Sequence, residues 1–196
     1  YLPFLEAAKI SGADGGVLDL GCGRGEWLEL LRERGIEHGS GVDLSAAMVE
    51  QCNGRGLHAT HADALHHLRT LPAESLEAIS SFHLIEHLPL RSLLHLLGEI
   101  QRTLRPGGLV ILETPNPRNI LVGASDFYRD PTHNHPIHPE TIRFVLETMG
   151  FAQVGCYFLR HAETGRVAVP ESEFTFADLQ AYVEVPRDFA VIARKA

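Results

Sequence analysis

Hydrophobic residues along this chain form short apolar runs, and segments with apolar positions at helical spacing lie between most of them. The short runs predict seven strands, at residues 17–20, 39–44, 57–63, 76–82, 109–113, 151–159 and 189–193. Helical spacing predicts helices at residues 2–10, 25–34, 46–51, 90–104 and 140–149. Strands that alternate with helices indicate an α/β fold with parallel pairing and right-handed crossovers.

The pattern changes after residue 114, where five prolines punctuate a polar stretch that extends to Pro139. We predict a long loop here, because neither the apolar runs of a strand nor the helical spacing of apolar residues continues through it. Long loops in compact domains are commonly lids or binding loops, so this segment is a candidate for acceptor recognition.

The strongest local signal is the junction between the first strand and the helix that follows it. Gly21, Gly23 and Gly25 leave room for backbone N–H groups and the positive end of the helix to approach a ligand. Glu26 stands where the full dinucleotide-binding spacing requires another glycine. A small ligand on this turn is expected, and an ordinary tight strand-to-helix connection is the alternative.

Two carboxylates stand at the carboxyl ends of the second and third predicted strands. Asp43 and Asp63 would therefore lie at the same carboxyl edge as the glycine turn, where open α/β sheets bind ligands. Asp43, about twenty residues beyond Gly23, stands where an acid takes ribose hydroxyls in nucleoside-binding folds. This geometry fits NAD as well as other nucleosides.

Composition limits the class of protein. The 196 residues, 44% of them hydrophobic, fit one domain over 1–196, and the net charge of −8 disfavours a nucleic-acid partner. Cys22, Cys52 and Cys156 form no CxxC pair, so we expect a reducing, cytoplasmic setting. No apolar run has the length of a transmembrane segment. The chain starts at Tyr1 rather than Met, which fits a piece of a longer protein, and the oligomeric state is left open.

Four motifs together resemble class I S-adenosylmethionine-dependent methyltransferases. They are Val17-Leu18-Asp19-Leu20-Gly21-Cys22-Gly23-Arg24-Gly25, Gly41-Val42-Asp43-Leu44-Ser45, Asp63-Ala64 and Leu104-Arg105-Pro106-Gly107-Gly108. The resemblance implies a Rossmann-like, mostly parallel seven-stranded sheet with an antiparallel last strand and helices on both faces. It also implies S-adenosyl-L-methionine as the cofactor.

The same resemblance implies how the cofactor is held. Its methionine part would lie against Gly21, Cys22 and Gly23, and its ribose on Asp43. Adenine would lie beside Leu44, Asp63 and Ala64, and Phe82 near the reactive methyl group. Each role has a plainer alternative: Leu44 and Phe82 as core residues, and Asp63 as a helix cap.

The second half resembles a narrower group, the methyltransferase domains of bacterial surface-polysaccharide synthesis, including those that end O-antigen chains. The motifs are Glu113-Thr114-Pro115-Asn116-Pro117, Phe127-Tyr128, Asp130-Pro131-Thr132-His133 and Pro139-Glu140. This implies a glycan or small-molecule acceptor, methylated on a saccharide oxygen or its phosphate. The acceptor-binding side chains expected in the loop are those of Asn116, Tyr128, Asp130 and His135.

Other functions remain open at this point. A small-molecule O-methyltransferase of the ubiquinone-pathway type shares part of the pattern, and an NAD-type oxidoreductase or a non-catalytic nucleoside-binding module would use the same sheet. The acceptor could also be recognised by the amino-terminal helix or by the stretch from His161 to Val185.

Histidines that follow the fourth strand or lie in the predicted loop are the candidates for proton transfer. A substrate hydroxyl must lose its proton on methylation, and histidine is the side chain that titrates near neutral pH. We expect catalytic roles for His87, His83 and His133. His83-Leu84-Ile85-Glu86-His87 also matches the HxxEH pattern of zinc proteases, but it follows a strand rather than opening a long helix.

The expectation for this stretch is that it binds no metal. Ubiquinone-pathway enzymes, which it resembles, carry acid-x-x-Glu-His here and have been associated with a divalent metal. His83 replaces their first acid, and hard cations prefer oxygen ligands. Glu86 and His87 lining the pocket, a metal site, and a direct base role for one histidine all remain open.

Overall fold

A computed structural model describes residues 1–13, 16–36, 38–159 and 182–196 of the chain. Its strands form one seven-stranded sheet in the order β3-β2-β1-β4-β5-β7-β6. The strands are β1 (Val17–Leu20), β2 (Gly39–Asp43), β3 (His58–His61), β4 (Leu76–Phe82), β5 (Leu104–Pro115), β6 (Phe151–Leu159) and β7 (Asp188–Lys195). Strands β1 to β5 pair in parallel, and β7 runs antiparallel to both β5 and β6. The expected mostly parallel sheet with an antiparallel last strand is confirmed.

Helices cover both faces of this sheet. They are α1 (Leu2–Ala7), α2 (Glu26–Glu33), α3 (Ala46–Gly54), α4 (Ala64–Thr70), α5 (Leu90–Thr103), α6 (Ile120–Ala124) and α7 (Pro139–Thr148), with short 3₁₀ helices at Ile85–His87 and Asp126–Arg129. One apolar cluster joins buried residues of α4, α5 and α7 to the sheet, and a second joins those of α1, α2 and α3. Alternate residues of β5 enter the two clusters, as the period of two in a strand requires.

Helix α5 shows how the sequence pattern produces this packing. Its apolar residues recur three and four positions apart, so Leu93, Leu96, Leu97 and Ile100 lie along one face and are all buried. Burial of each such side chain contributes roughly 1.5–3 kcal/mol to the hydrophobic term. The helix therefore holds β4 and β5 in place from one side.

Three elements differ from the sequence-based expectation. Helix α4 was not predicted, and it is only seven residues long, too short for a clear helical period. The predicted loop contains α6 and a 3₁₀ helix, so it is not structureless. Helix α6 is only five residues long, too short for a helical period, and the Asn119 side chain caps it by accepting from the N–H groups of Leu121 and Val122.

Strand β5 is longer than the predicted 109–113. It begins at Leu104, which pairs with Leu76, and pairing resumes at Leu109 with Ala78. Residues 105–108, which separate the predicted helix from the predicted strand, are thus an irregularity within the observed strand. Gly107, with a φ of +76°, supplies the left-handed conformation that this irregularity uses.

Among the described residues, no helix is both long enough and apolar enough to span a bilayer. Most of the stretch from His161 to Val185, up to residue 181, lies outside the described residues.

Candidate functional site

The turn between β1 and α2 lies open at the carboxyl edge of the sheet. Gly23 has a φ of +51°, and a Cβ built on it would meet no atom within 4 Å. Gly25 caps α2 in the left-handed conformation, and a Cβ there would lie 2.8 Å from both Cys52 Sγ and Leu57 Cδ1. Gly25 is therefore required by packing, whereas Gly23 leaves its backbone accessible to a ligand.

Asp43 connects this turn to the end of β2. Its Oδ2 accepts a hydrogen bond from the N–H of Gly23 at 2.9 Å, and its Oδ1 accepts one from Ser45 at 2.7 Å. Each carboxylate oxygen retains a second lone pair for a ligand hydroxyl. The carboxylate thus lies against the glycine turn and has acceptor capacity left for a ligand.

A cavity of about 590 Å³ lies beside the turn. Four residues expected to bind the cofactor line it: Gly21, Cys22, Gly23 and Phe82. The remaining lining residues come from α1, α2 and β1: Tyr1, Leu2, Pro3, Asp19, Glu26, Trp27 and Leu30. The cavity has the volume of a small-molecule site and is lined by the glycine turn, so these residues fit S-adenosyl-L-methionine.

The residues expected at the adenine are outside this cavity, along the open crevice. Leu44 is 67% exposed, as an apolar platform for a base would be before binding. Asp63 accepts the N–H of His66 at 2.8 Å and so caps α4, which Ala64 begins. The helix-cap alternative therefore describes Asp63 in this structure.

Asp19 is a site residue that the sequence reasoning did not single out. It is almost fully buried at the cavity wall and accepts a hydrogen bond from Ser80 Oγ at 2.7 Å. Burial raises the pKa of Asp19 to about 7, although the Ser80 hydrogen bond opposes the shift. The sequence signal that could have identified Asp19 is an acidic residue inside an otherwise apolar strand.

Three aromatic rings close one end of the cavity. The Phe82 ring lies 5.4 Å from that of Tyr1 and 5.4 Å from that of Trp27, measured between centroids. The Tyr1 hydroxyl donates to Glu113, and burial raises the pKa of Tyr1 well above its ordinary value. Phe82 is therefore both a packed residue and a cavity wall.

His83 lies between two carboxylates at the end of β4. Its Nδ1 is 3.2 Å from Glu86 Oε1, and its Nε2 is 3.2 Å from Glu113 Oε1. Hydrogen bonds to Glu113 and then Glu86 raise the pKa of His83 to about 10. The ring is therefore an imidazolium at neutral pH, and a role as proton acceptor does not fit it.

His87 is held by the segment that follows the second 3₁₀ helix. Its Nδ1 lies 2.9 Å from Thr132 Oγ1, and its ring centroid is 4.8 Å from that of His133. Asn134 Nδ2 donates to the His87 carbonyl at 2.6 Å. His133 Nδ1 in turn lies 2.6 Å from the Phe127 carbonyl. The structure thus brings together His87 and the loop residue His133, two of the three histidines expected to be catalytic.

Glu86, His87 and His133 form a group whose donor atoms all lie within 4.8 Å of one another. His133 supplies a donor that could not be placed beside Glu86 from the sequence. Glu86 is fully buried, accepts from Thr114 Oγ1 at 2.9 Å, and contacts the His83 imidazolium. A metal ion at this group would therefore compete with the His83 ring, whose Nδ1 lies 3.2 Å from Glu86 Oε1.

The expected acceptor-binding residues differ in accessibility. Asn116 is fully buried, and its amide is used by the Pro186 carbonyl at 2.7 Å and the Arg118 N–H at 3.1 Å. Asp130 accepts from the backbone and side chain of Thr132. Tyr128 is 65% exposed and His135 is half-buried. Tyr128 is therefore the most accessible of the four.

Comparison with known proteins identifies one family. Residues 3–154 match the family model described as a methyltransferase domain. A probable S-adenosylmethionine-dependent methyltransferase of Mycolicibacterium smegmatis is 29% identical over 147 residues, which are 74% of this chain and 54% of that protein. The tRNA U34 carboxymethyltransferase of Pseudoalteromonas translucida is 29% identical, over 70% of this chain and 45% of its own length. The chain thus spans about half the length of these curated relatives.

A solved structure matches over nearly its whole length. The S-adenosylmethionine-dependent methyltransferase of Archaeoglobus fulgidus is 33% identical with a TM-score of 0.80, and the match covers 99% of this chain and 92% of that one. Both the fold and the sequence therefore indicate a methyltransferase domain.

Proposed function

This chain belongs to the methyltransferase domain family, with S-adenosyl-L-methionine as its methyl donor, and we propose that its acceptor is a saccharide, methylated on a hydroxyl or phosphate oxygen. The observation that supports the proposal is the contact between the polar loop and His87, which follows β4 at the carboxyl edge of the sheet. In this proposal, the loop supplies the acceptor-binding groups and His87 the proton acceptor.

The cofactor would be held by the residues already described. Gly21 to Gly23 and Asp19 would surround its methionine part, Asp43 its ribose, and Leu44 its adenine. When bound, it supplies a methyl group on a sulfonium, and the carbon–sulfur bond breaks as the bond to the acceptor oxygen forms. The protein contributes chiefly by holding the acceptor in line, because the methyl group is already reactive.

A hydroxyl acceptor needs a base, and we assign that role to His87. His83 carries a proton throughout the neutral range, so in this proposal it fixes Glu86 and Glu113 rather than taking a proton. His133 packs against the His87 ring and supports it. A phosphate acceptor would need no base, and its transfer would not depend on His87.

The saccharide is inferred from the side chains around the loop. Tyr128 presents an exposed ring that can stack on a sugar face. Half-buried His135 adds a donor or acceptor for hydroxyl groups. The Asn116 amide is engaged within the protein, so here it shapes the loop rather than binds the acceptor, and Asp130 is bonded through Oδ1 to Thr132.

Family membership excludes some of the alternatives considered from the sequence, and the others differ in the acceptor. Membership of the methyltransferase domain family sets aside the NAD-type oxidoreductase and the non-catalytic nucleoside-binding module. A small phenol of the ubiquinone-pathway type remains as a competing acceptor. RNA is another, because one relative is named for a modification of tRNA.

An acceptor screen tests the proposal. Labelled S-adenosyl-L-methionine is incubated with nucleotide sugars, glycans, phosphoglycans, a dihydroxylated phenol and tRNA. We expect label in a saccharide, and transfer only to the phenol, only to tRNA or to none of them contradicts the proposal.

One variant pair tests the loop in the same screen. Tyr128→Ala should lower transfer to the saccharide by about tenfold while S-adenosyl-L-methionine affinity stays within about a factor of two, since Tyr128 would contact only the acceptor. Phe144→Ala, which removes a similarly exposed ring from α7, is the matched control and should retain the wild-type rate. Equal rates for Tyr128→Ala and Phe144→Ala would place recognition elsewhere.

A further inference from the structure

Thr132 lies between the candidate base and a carboxylate. Its Oγ1 is 2.9 Å from His87 Nδ1 and 2.5 Å from Asp130 Oδ1. The Thr132 backbone N–H also donates to Asp130 Oδ1, at 2.8 Å. One hydroxyl therefore contacts both a ring nitrogen and a carboxylate oxygen.

Counting protons fixes the direction of these hydrogen bonds. The bonds from Thr132 lower the pKa of Asp130, so this carboxyl is ionised at neutral pH and can only accept. Thr132 has one hydroxyl proton, and the carboxylate takes it. The hydroxyl oxygen must then accept from His87, so Nδ1 of that ring carries its proton. The Nε2 atom is left with a lone pair.

The ring is also held from its backbone. Asn134 Nδ2 donates to the His87 carbonyl at 2.6 Å, and the Asn134 N–H donates to the Glu86 carbonyl at 2.8 Å. Besides Asp130, the titratable groups that face His87 among the residues described are Glu86, from its own 3₁₀ helix, and His133, from the loop. The loop segment from Asp130 to Asn134 thus fixes both the position and the tautomer of His87.

We propose that Thr132 is a positioning residue for methyl transfer, which selects the Nδ1–H tautomer of His87 so that Nε2 faces the acceptor hydroxyl. This inference rests on the proposed function. As the oxygen–methyl bond forms, the hydroxyl proton moves to Nε2, and the resulting imidazolium keeps its Nδ1–H on Thr132. No proton passes to Asp130, whose negative charge stabilises the imidazolium through the hydroxyl dipole.

The tautomer can be measured without an acceptor. ¹⁵N-histidine-labelled protein is compared by NMR at mildly alkaline pH as wild type, Thr132→Val, Thr132→Ser and Thr148→Val, with His87→Gln used to assign the signal. We expect the Nδ1–H tautomer in wild type, in Thr132→Ser and in Thr148→Val. Thr148 is the matched control, because its exposed hydroxyl bonds only to the Phe144 carbonyl in α7.

Thr132→Val should lose the predominance of that tautomer, because valine keeps the shape and removes the hydroxyl. An Nε2–H tautomer in wild type, or an unchanged Nδ1–H tautomer in Thr132→Val, would overturn the proposal. This measurement is independent of acceptor identity, so its failure differs from failure of the proposed function, in which wild type methylates no saccharide.

Turnover provides the second measurement, on the best saccharide acceptor from the screen. Thr132→Val should lower kcat by about tenfold, part of the roughly 10²- to 10⁴-fold that a positioned base contributes. Its KM for S-adenosyl-L-methionine should be unchanged, and Thr132→Ser should restore kcat. A kcat in Thr132→Val equal to that of wild type would contradict the role of Thr132 as a positioning residue. A kcat in Thr132→Ser as low as that of Thr132→Val would contradict it as well.

Discussion

The Asp43 carboxylate accepts the backbone N–H of Gly23 at 2.9 Å, across the gap between two parallel strands. These residues are twenty positions apart and belong to separate motifs. The hydrogen bond means that the acid expected to bind ribose also holds the turn expected to bind methionine. The two halves of the cofactor site are therefore mechanically connected.

Asp43→Ala should weaken S-adenosyl-L-methionine binding by at least about tenfold. The change removes the expected ribose acceptor, worth about 1.5–3 kcal/mol for each charge-assisted bond, and releases the Gly23 N–H. Calorimetric titration of the folded variant measures the effect. Glu50→Ala is the control, because it removes an exposed carboxylate from the neighbouring helix α3. Equal affinities for the two variants would remove Asp43 from the cofactor site.

His83 should make the stability of the protein depend on alkaline pH. Its pKa is raised to about 10 in the folded protein, against about 6.5 for an unfolded histidine. The folded state therefore holds this proton more tightly, and the stabilisation is fully present below about pH 6.5 and is lost as the pH rises through about 10. The side chain is 46% exposed, so solvent reduces the size of the effect.

The free energy of unfolding of wild type and His83→Asn, measured against pH, checks this prediction. Asparagine is chosen because His83 has a φ of +52°, which asparagine tolerates better than most residues. The difference between the two proteins should shrink between neutral pH and about pH 10. A difference that stays constant over this range would show that His83 is not the charged partner of Glu86 and Glu113.

Removal of divalent metals should leave methyl transfer unchanged. Glu86, His87 and His133 offer three donors, but the protonated His83 ring lies 3.2 Å from Glu86 and offsets its charge. Activity before and after treatment with EDTA is the measurement. Loss of turnover that one divalent ion restores would assign a metal to this group instead.

The fold could be predicted well because its signals are local. Apolar runs placed β4 at its observed bounds, and α3 begins at the predicted Ala46, where the Ser45 hydroxyl caps it by accepting the Met48 N–H at 3.4 Å. Short elements without a visible period were missed, namely α4 and α6. Their ends are set by the capping side chains of Asp63 and Asn119, and such residues are equally common in loops.

Much of the candidate site depends on contacts between distant residues. The pairing of His87 with Thr132 spans 45 positions, and the Tyr1 hydroxyl reaches Glu113 across 112. No spacing rule predicts such contacts. The burial of individual side chains could not be predicted from the sequence either. Asn116 was expected to bind the acceptor, but its side chain is enclosed by backbone partners from residues 186 and 118.

The most direct test of the account is the rate of methyl transfer by His87→Gln. Single-turnover transfer to the best saccharide hydroxyl should fall by at least about 10²-fold, because glutamine cannot take the acceptor proton. Affinity for S-adenosyl-L-methionine should stay within about a factor of two. His95→Gln, which changes an exposed histidine of α5, should transfer at the wild-type rate. Transfer by His87→Gln at the wild-type rate would contradict the assignment of His87 as the base.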